Sequence, residues 1–221
     1  VWLKKDGLPQ NSVMTLAQTP DGFLWVGTYE GLAKFDGARF KIFTPLNTPE
    51  LKSKLISTLL VRRDGTLLIG MMGGGGLTTL RGEEFKSISL SSNEEQASVG
   101  TLYEDRKGLL WVGTNLGLIS LRGDSIEKVY TSSDGLAHNY VSGIAEDSEG
   151  RLLVAAGGSI SVLQNDCFVD HPLPKAFSAR VRTLRSQHDG KIWIGTFDNG
   201  VYCLTNAGLQ HISERNGLPS N

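Results

Sequence analysis

Little in this sequence points to a charged partner. Its 22 Lys and Arg stand against 23 Asp and Glu in 221 residues, with no block of one sign. The electrostatic footprint of a nucleic-acid or membrane-surface binder is therefore missing. No apolar run approaches the roughly 20 residues of a membrane-spanning helix. The opening residues, VWLKKDGLPQ, lack the apolar stretch of a secretion signal, so an exported protein would carry that signal outside these residues. Cysteine is scarce: Cys167 and Cys203 make no disulfide framework and neither sits in a CxxC pair, which leaves the redox compartment open. Proline is also sparse, at 7 residues, whereas glycine is abundant at 27 in a chain that is 39% hydrophobic. That balance suits many tight turns between short strands rather than disorder.

The turns are periodic. PDGFLWVGT (Pro20 to Thr28), RDGTLLIGM (Arg63 to Met71), RKGLLWVGT (Arg106 to Thr114), SEGRLLVAA (Ser148 to Ala156) and HDGKIWIGT (His188 to Thr196) align without gaps. From Trp25 through Leu68, Trp111 and Leu153 to Trp193 the steps are 43, 43, 42 and 40 residues. Each copy reads as four short strands, a to d, with an Asp-Gly type of turn between a and b. Strand b (FLWVGT in the first copy) is apolar on consecutive positions, so both its faces are buried. Strand d (RFKIFT, FKSISL, IEKVYT, CFVDH, LQHIS) is the most polar and predicts an outer edge.

A unit whose middle strands are covered on both faces must lie between similar units, and four-stranded repeats of this length predict an all-β fold, the β-propeller, with five blades in this chain. Val13, Ile56, Val99, Val141 and Val181 share one column of strand a, and Leu16, Leu59, Leu102, Ile144 and Leu184 another. Both columns predict packing between blades, and the strand-b tryptophans predict core filling. The repeats run approximately over 11–44, 54–90, 97–131, 139–171 and 179–213 of one propeller segment spanning 1–221. Residues 1–6 are expected to supply an outer strand and 214–221 the start of a further repeat. DGLPQN (Asp6 to Asn11) and NGLPSN (Asn216 to Asn221) put both ends at the same phase of the array. The expectation is a segment of a longer, seven-bladed propeller, with a closed five-bladed ring second, and with self-association through any open blade face.

DGLPQN leading into a strand, then DGFLWVGT, then GLAKFDG, resembles the two-component regulator propeller repeat, and the resemblance runs through all five copies. It implies the extracytoplasmic sensor part of a membrane-bound bacterial regulator, periplasmic or extracellular, followed in a longer chain by signalling domains such as a histidine kinase or diguanylate cyclase. It also implies a ligand such as a glycan fragment, or a neighbouring domain, and no catalysis. The departures fall in loops: the fourth copy has GLAHN (Gly135 to Asn139), and the second replaces GTYEGL by GMMGGGGL (Gly70 to Leu77).

Evidence for chemistry is thin. His138, His171, His188 and His211 show no metal-ligand spacing. The run Gly73 to Gly76 lacks the Lys-Ser or Lys-Thr of a phosphate loop, and DSEG (Asp147 to Gly150) aligns with the other hairpin turns and lacks the bidentate Glu of a calcium loop. No catalytic residue, metal or cofactor is assigned. Streptogramin lyases are propellers with somewhat similar repeats, so an enzyme of that type stays as an alternative, with His138 as its one candidate; a protein-interaction scaffold is another. For binding, the b–c loops and the segments before strand a fall at one end of a propeller. They nominate Tyr29, Glu30, Asn115, Asn139, Tyr140, Arg182, Phe197, Asp198 and Asn199, with Arg180 beside them. Aromatic faces among Asn, Asp, Glu and Arg suit a saccharide or another small polar ligand; ordinary solvated loops with turn-capping Asn are the plainer reading.

Overall fold

The computed structural model describes residues 2–90, 97–171, 173, 177, 179–187, 189–205 and 207–220. They form five four-stranded antiparallel sheets, each with its strands in sequence order. The first is β1 (Val13–Gln18), β2 (Leu24–Thr28), β3 (Gly31–Phe35) and β4 (Phe40–Phe43), and the second β5 (Ile56–Val61), β6 (Leu67–Met71), β7 (Leu77–Arg81) and β8 (Glu84–Ile88). The third is β9 (Val99–Glu104), β10 (Leu110–Thr114), β11 (Leu118–Arg122) and β12 (Ser125–Tyr130). The fourth is β13 (Val141–Glu146), β14 (Leu152–Ala156), β15 (Ser159–Gln164) and β16 (Cys167–Asp170), and the fifth β17 (Val181–Ser186), β18 (Ile192–Thr196), β19 (Val201–Thr205) and β20 (Gly208–Ile212). Two compact units contain them, Val1–Glu104 with Asp124–Ile126 and Asp105–Gly123 with Glu127–Asn221.

Burial follows the expected gradient. Every residue of β6, β10 and β14 is buried, while the fourth strands alternate towards solvent. In the first unit Trp25, Leu32 and Phe43 of one sheet pack with Ile56, Leu59 and Ile69 of the next. The contact is close enough to dictate glycine: a Cβ on Gly27 would stand 2.7 Å from Ile56 Cγ2, and one on Gly70 2.7 Å from Val99 Cγ1. Ser57 Oγ bridges the same seam, with contacts to the carbonyls of Gly70 (2.9 Å) and Val99 (2.6 Å). In the second unit the junction joins Leu153, Ala155 and Ile160 to Val181, Leu184, Ile192 and Ile194.

Polar side chains repeat as regularly as apolar ones. At the end of β9, Asp105 accepts the turn N–H groups of Lys107 and Leu109 on Oδ1 and the Trp111 indole N–H on Oδ2, at 2.9, 2.9 and 3.0 Å. Thr19 takes the Trp25 indole at 3.1 Å, and Asp147 holds Arg151 where a leucine replaces tryptophan. One residue earlier, Glu104 accepts the Arg63 N–H (2.9 Å) and Glu146 the Arg106 N–H (2.9 Å) from the hairpin of the preceding sheet. Proline has no N–H to offer; where Pro20 fills that hairpin position, apolar Val61 stands at the register of those carboxylates.

The duplicated terminal phrase proves to be a turn. Residues Lys4–Asp6 form a 3-10 helix, so the outer strand expected over 1–6 is not present in the described residues. Leu3 N–H donates to Asp6 Oδ2 (3.0 Å), Lys4 N–H to Asn11 Oδ1 (2.7 Å), and Gly7 leaves the turn at φ 105°, a left-handed conformation that favours glycine. SSDGLAHN repeats the arrangement: Thr131 N–H donates to Asp134 and Ser132 N–H to Asn139. At 214–216, Ser213 N–H donates to Asn216 Oδ1 at 3.1 Å. Leu8 and Leu136 are buried as the anchors of their turns.

The fifth sheet breaks one of these patterns. Gln187 stands where Asp105 and Asp147 stand, and the buried Nε1 of Trp193 has no hydrogen-bond partner among the described residues. Gln187→Asp is expected to supply an acceptor for both the turn and the indole and to raise stability by about 1–2 kcal/mol. Urea denaturation measures this as a higher midpoint at unchanged slope; an unchanged or lower midpoint contradicts the assignment.

Candidate functional site

The loops joining second to third strands are shaped by the threonine that ends strand b. Thr28 Oγ1 donates to Gly31 O (2.9 Å) and accepts Glu30 N–H (3.1 Å). Thr114 repeats this with Gly117 and Leu116, and Thr196 with Gly200 and Asn199. The residues between are thereby turned outward: Tyr29, Leu116 and Phe197 are large, apolar-faced and exposed. The second copy lacks the threonine and uses backbone instead. Met71 N–H donates to Gly76 O (3.0 Å), and the N–H groups of Gly73 and Gly76 donate to Ser98 Oγ and Ala97 O.

In the first unit, Tyr29 and Glu30 share one loop. Glu30 is held by Lys54, at 2.8 and 3.0 Å, from the segment before β5. The sequence reading did not single out Lys54; a partner 24 residues away in a loop without regular periodicity leaves no local signal.

The second unit brings together more of the nominated residues. Arg180 and Arg182 place their guanidinium carbons 5.2 and 5.5 Å from the centroid of the Phe197 ring, which is 47% exposed. Arg180 also reaches Asp198 at 3.9 Å, and Phe197 N–H donates to Arg180 O at 3.1 Å. Cation–π contacts at such exposed positions contribute about 0.5–1 kcal/mol each and orient the guanidinium groups. The fourth sheet adjoins them: Val181 N–H donates to Gly158 O (3.0 Å) and Gly157 N–H to Tyr140 O (3.2 Å), with Tyr140 exposed. Glycine is required here, since a Cβ on Gly157 would stand 2.5 Å from His138 Cβ and the residue has φ 59°. Arg180, Arg182, Phe197 and Asp198 thus form a row with an aromatic face, paired cations and a carboxylate, and Tyr140 is exposed in the adjoining segment before β13.

Other nominated residues are engaged in holding loops. Asn139 Oδ1 accepts Ser132 N–H at 2.8 Å. Asn199 donates from Nδ2 to Tyr202 Oη at 2.8 Å, and its carbonyl meets His211 Nε2 at 2.8 Å. Asn115 lies exposed in the turn that Thr114 closes. His138 Nδ1 accepts Tyr140 N–H at 2.9 Å, so one ring nitrogen serves the loop. His188 lies outside the described residues. Among the described residues no three His, Cys, Asp or Glu side chains gather as metal ligands.

His171 lines a separate concavity of about 190 Å³ with Asp147, Glu149 and Arg151. Burial, and then the nearby Arg151, lower its pKa below the usual histidine value. The neutral ring therefore belongs to the folded state. Its contribution is present above the unfolded pKa of about 6.5 and is lost as pH falls through the lower folded value. Stability measured by thermal denaturation should decline as pH falls from about 6.5 to that lower value, and His171→Gln should flatten this segment of the profile; an unchanged profile in the variant argues against it.

Comparison with known proteins bears on this arrangement. The family model described as two component regulator propeller matches residues 7–30 and 93–116. Histidine kinase P4 of Formosa agariphila is 56% identical over 45 residues, which are 20% of this chain and 3% of that protein. Among solved structures, the extracellular domain of a protein assigned as hybrid two component system BT3049, from B. thetaiotaomicron, is 25% identical with a TM-score of 0.82, over 94% of this chain and 29% of that one. Virginiamycin B lyase from Staphylococcus aureus shares the fold, at 14% identity and a TM-score of 0.69, over 93% of this chain and 71% of that one. The chain thus spans under a third of the BT3049 domain and a small fraction of the kinase.

Proposed function

We infer, for a chain that carries two-component regulator propeller repeats, that it serves as part of a non-enzymatic sensor on the periplasmic or extracellular side of a membrane-bound bacterial regulator. Downstream signalling domains of a longer chain, a histidine kinase or a diguanylate cyclase, would read it out. The observation that carries this reading is the row Arg180, Arg182, Phe197 and Asp198, set on a fold similar to an extracellular two-component domain over 94% of the chain. No helix of the described residues is long and apolar enough to cross a membrane. The row suits a small polar ligand such as a glycan fragment: the ring face stacks on the apolar side of a sugar, and guanidinium and carboxylate groups fix its hydroxyls. A neighbouring domain of the same regulator is the other occupant with matching chemistry.

Screening glycan fragments by thermal shift is expected to yield a saturable rise in Tm. Arg182→Ala and Phe197→Ala should each reduce affinity at least about tenfold, equivalent to ~1.4 kcal/mol. A ligand that binds both variants as tightly as the parent chain would sit elsewhere. Metal-dependent turnover abolished by His138→Ala would instead support the lyase alternative, for which the 14% identical neighbour supplies the fold alone.

Self-association is part of the same proposal. Val13 and Leu16 are 43% and 57% exposed, whereas Ile56, Leu59, Val99 and Leu102 at the same two columns are buried. Each internal junction of the first unit covers that column with the glycine-bearing face of a preceding sheet, and in the isolated chain a second copy can offer such a face. Analytical ultracentrifugation should find concentration-dependent association that Leu16→Glu weakens; identical monomers from both proteins would refute it.

A further inference from the structure

A charge anomaly separates the first sheet from the others. Lys34 on β3 and Lys41 on β4 are directly opposite each other in the register. Equivalent pairs in the second, fourth and fifth sheets are Thr79 with Lys86, Val162 with Val169 and Cys203 with Gln210, none of them two like charges. Like charges directly opposite on neighbouring strands repel and destabilise the pairing. Lysines of other outer strands are neutralised, Lys86 by Asp124 at 2.5 Å and Lys128 by Asp166 at 2.6 Å. Lys34, Arg39 and Lys41 have no carboxylate within the 4.0 Å of an ion pair among the described residues.

The three cations also share a concavity. A pocket of about 350 Å³ is lined by Phe23, Lys34, Asp36, Arg39, Phe40 and Lys41. Its single carboxylate is committed to the local turn: Asp36 Oδ1 accepts the N–H groups of Arg39 (2.7 Å) and Ala38 (2.8 Å). Lys34 Nζ lies 3.6 Å from the Phe23 ring centroid, which holds the ammonium over the pocket wall. Three basic residues thus line a cleft with one acid, and Lys41, whose ammonium lies 5.2 Å from the Phe43 ring centroid, also lines the adjoining concavity of Glu50, Glu83 and Glu84.

We propose that this cleft on β3 and β4 of the first sheet is a binding site for a phosphate or sulfate group of a small solute. A doubly charged oxyanion offers enough acceptors for two ammonium groups and a guanidinium and relieves the repulsion between Lys34 and Lys41. The site belongs to the first compact unit and the row around Phe197 to the second, and the proposal does not depend on the sensor reading.

The test uses inorganic phosphate, pyrophosphate and a sulfated monosaccharide as probes on the full chain, at ionic strength held constant with sodium chloride. Calorimetry is expected to find saturable binding of at least one, with Tm rising by about 5 °C at ~100 times Kd. Lys34→Gln and Lys41→Gln should each lose that binding and that rise, and without anion each should melt above the parent chain because the like-charge pair is gone. Arg182→Ala should retain both. No saturable binding of any probe up to about 10 mM, equal binding by the lysine variants, or variants that melt below the parent chain without anion would each overturn the site.

Discussion

The close approach of one sheet to the next at the glycine of strand b is the constraint on which the rest of this structure depends. At Gly27 and Gly70 no room exists for a Cβ, because a threonine of the same sheet and a β-branched residue of the following sheet together occupy it. That contact lets a strand bury both faces, which is why strand b can be apolar at consecutive positions. Once sheets stand this close, the hairpin of one lies beside the first strand of the next, and Glu104 and Glu146 can take the backbone donors of Arg63 and Arg106. The apolar seam and the polar ties are two results of one spacing.

The exposed loop chemistry is placed by what the seam leaves over. A threonine just past the glycine bonds across its own loop and leaves Tyr29, Leu116 and Phe197 exposed. Loops closed in the same way therefore present different chemistry: Tyr29 with Glu30 in the first unit, and Phe197 with Asp198 in the second. In the second unit the fourth copy's Gly157 and Gly158 bring Tyr140 and Arg180 next to that loop, and two guanidinium groups gather at one ring.

Much of the fold was legible because its cause is periodic. Asp-Gly turns, the consecutive apolar run of strand b and the two strand-a columns gave five four-stranded sheets and their buried strands. The candidate site was legible only in part. Position in the repeat nominated loops, yet it could not separate Asn139 and Asn199, which fasten their loops, from Arg182 and Phe197, which face solvent together. Nor did it find Lys54 beside Glu30. Residues 1–6 read as a strand by alignment, but Asp6 and Asn11 collect the N–H groups of Leu3 and Lys4 and wind the segment into a turn.

By itself the sequence determined the repeat, the strand content and the burial of the second strands, because these follow from side-chain volume and turn chemistry within about 40 residues, a range that hydrophobic periodicity reads directly. Tertiary structure alone decided which loop residues meet. Arg180 and Phe197 approach through backbone bonds between non-adjacent segments, and Lys34 faces Lys41 because of the register of β3 and β4. Electrostatics acts across space, not along the chain, so a composition balanced at 22 positive and 23 negative residues gave no sign of three basic residues lining one cleft.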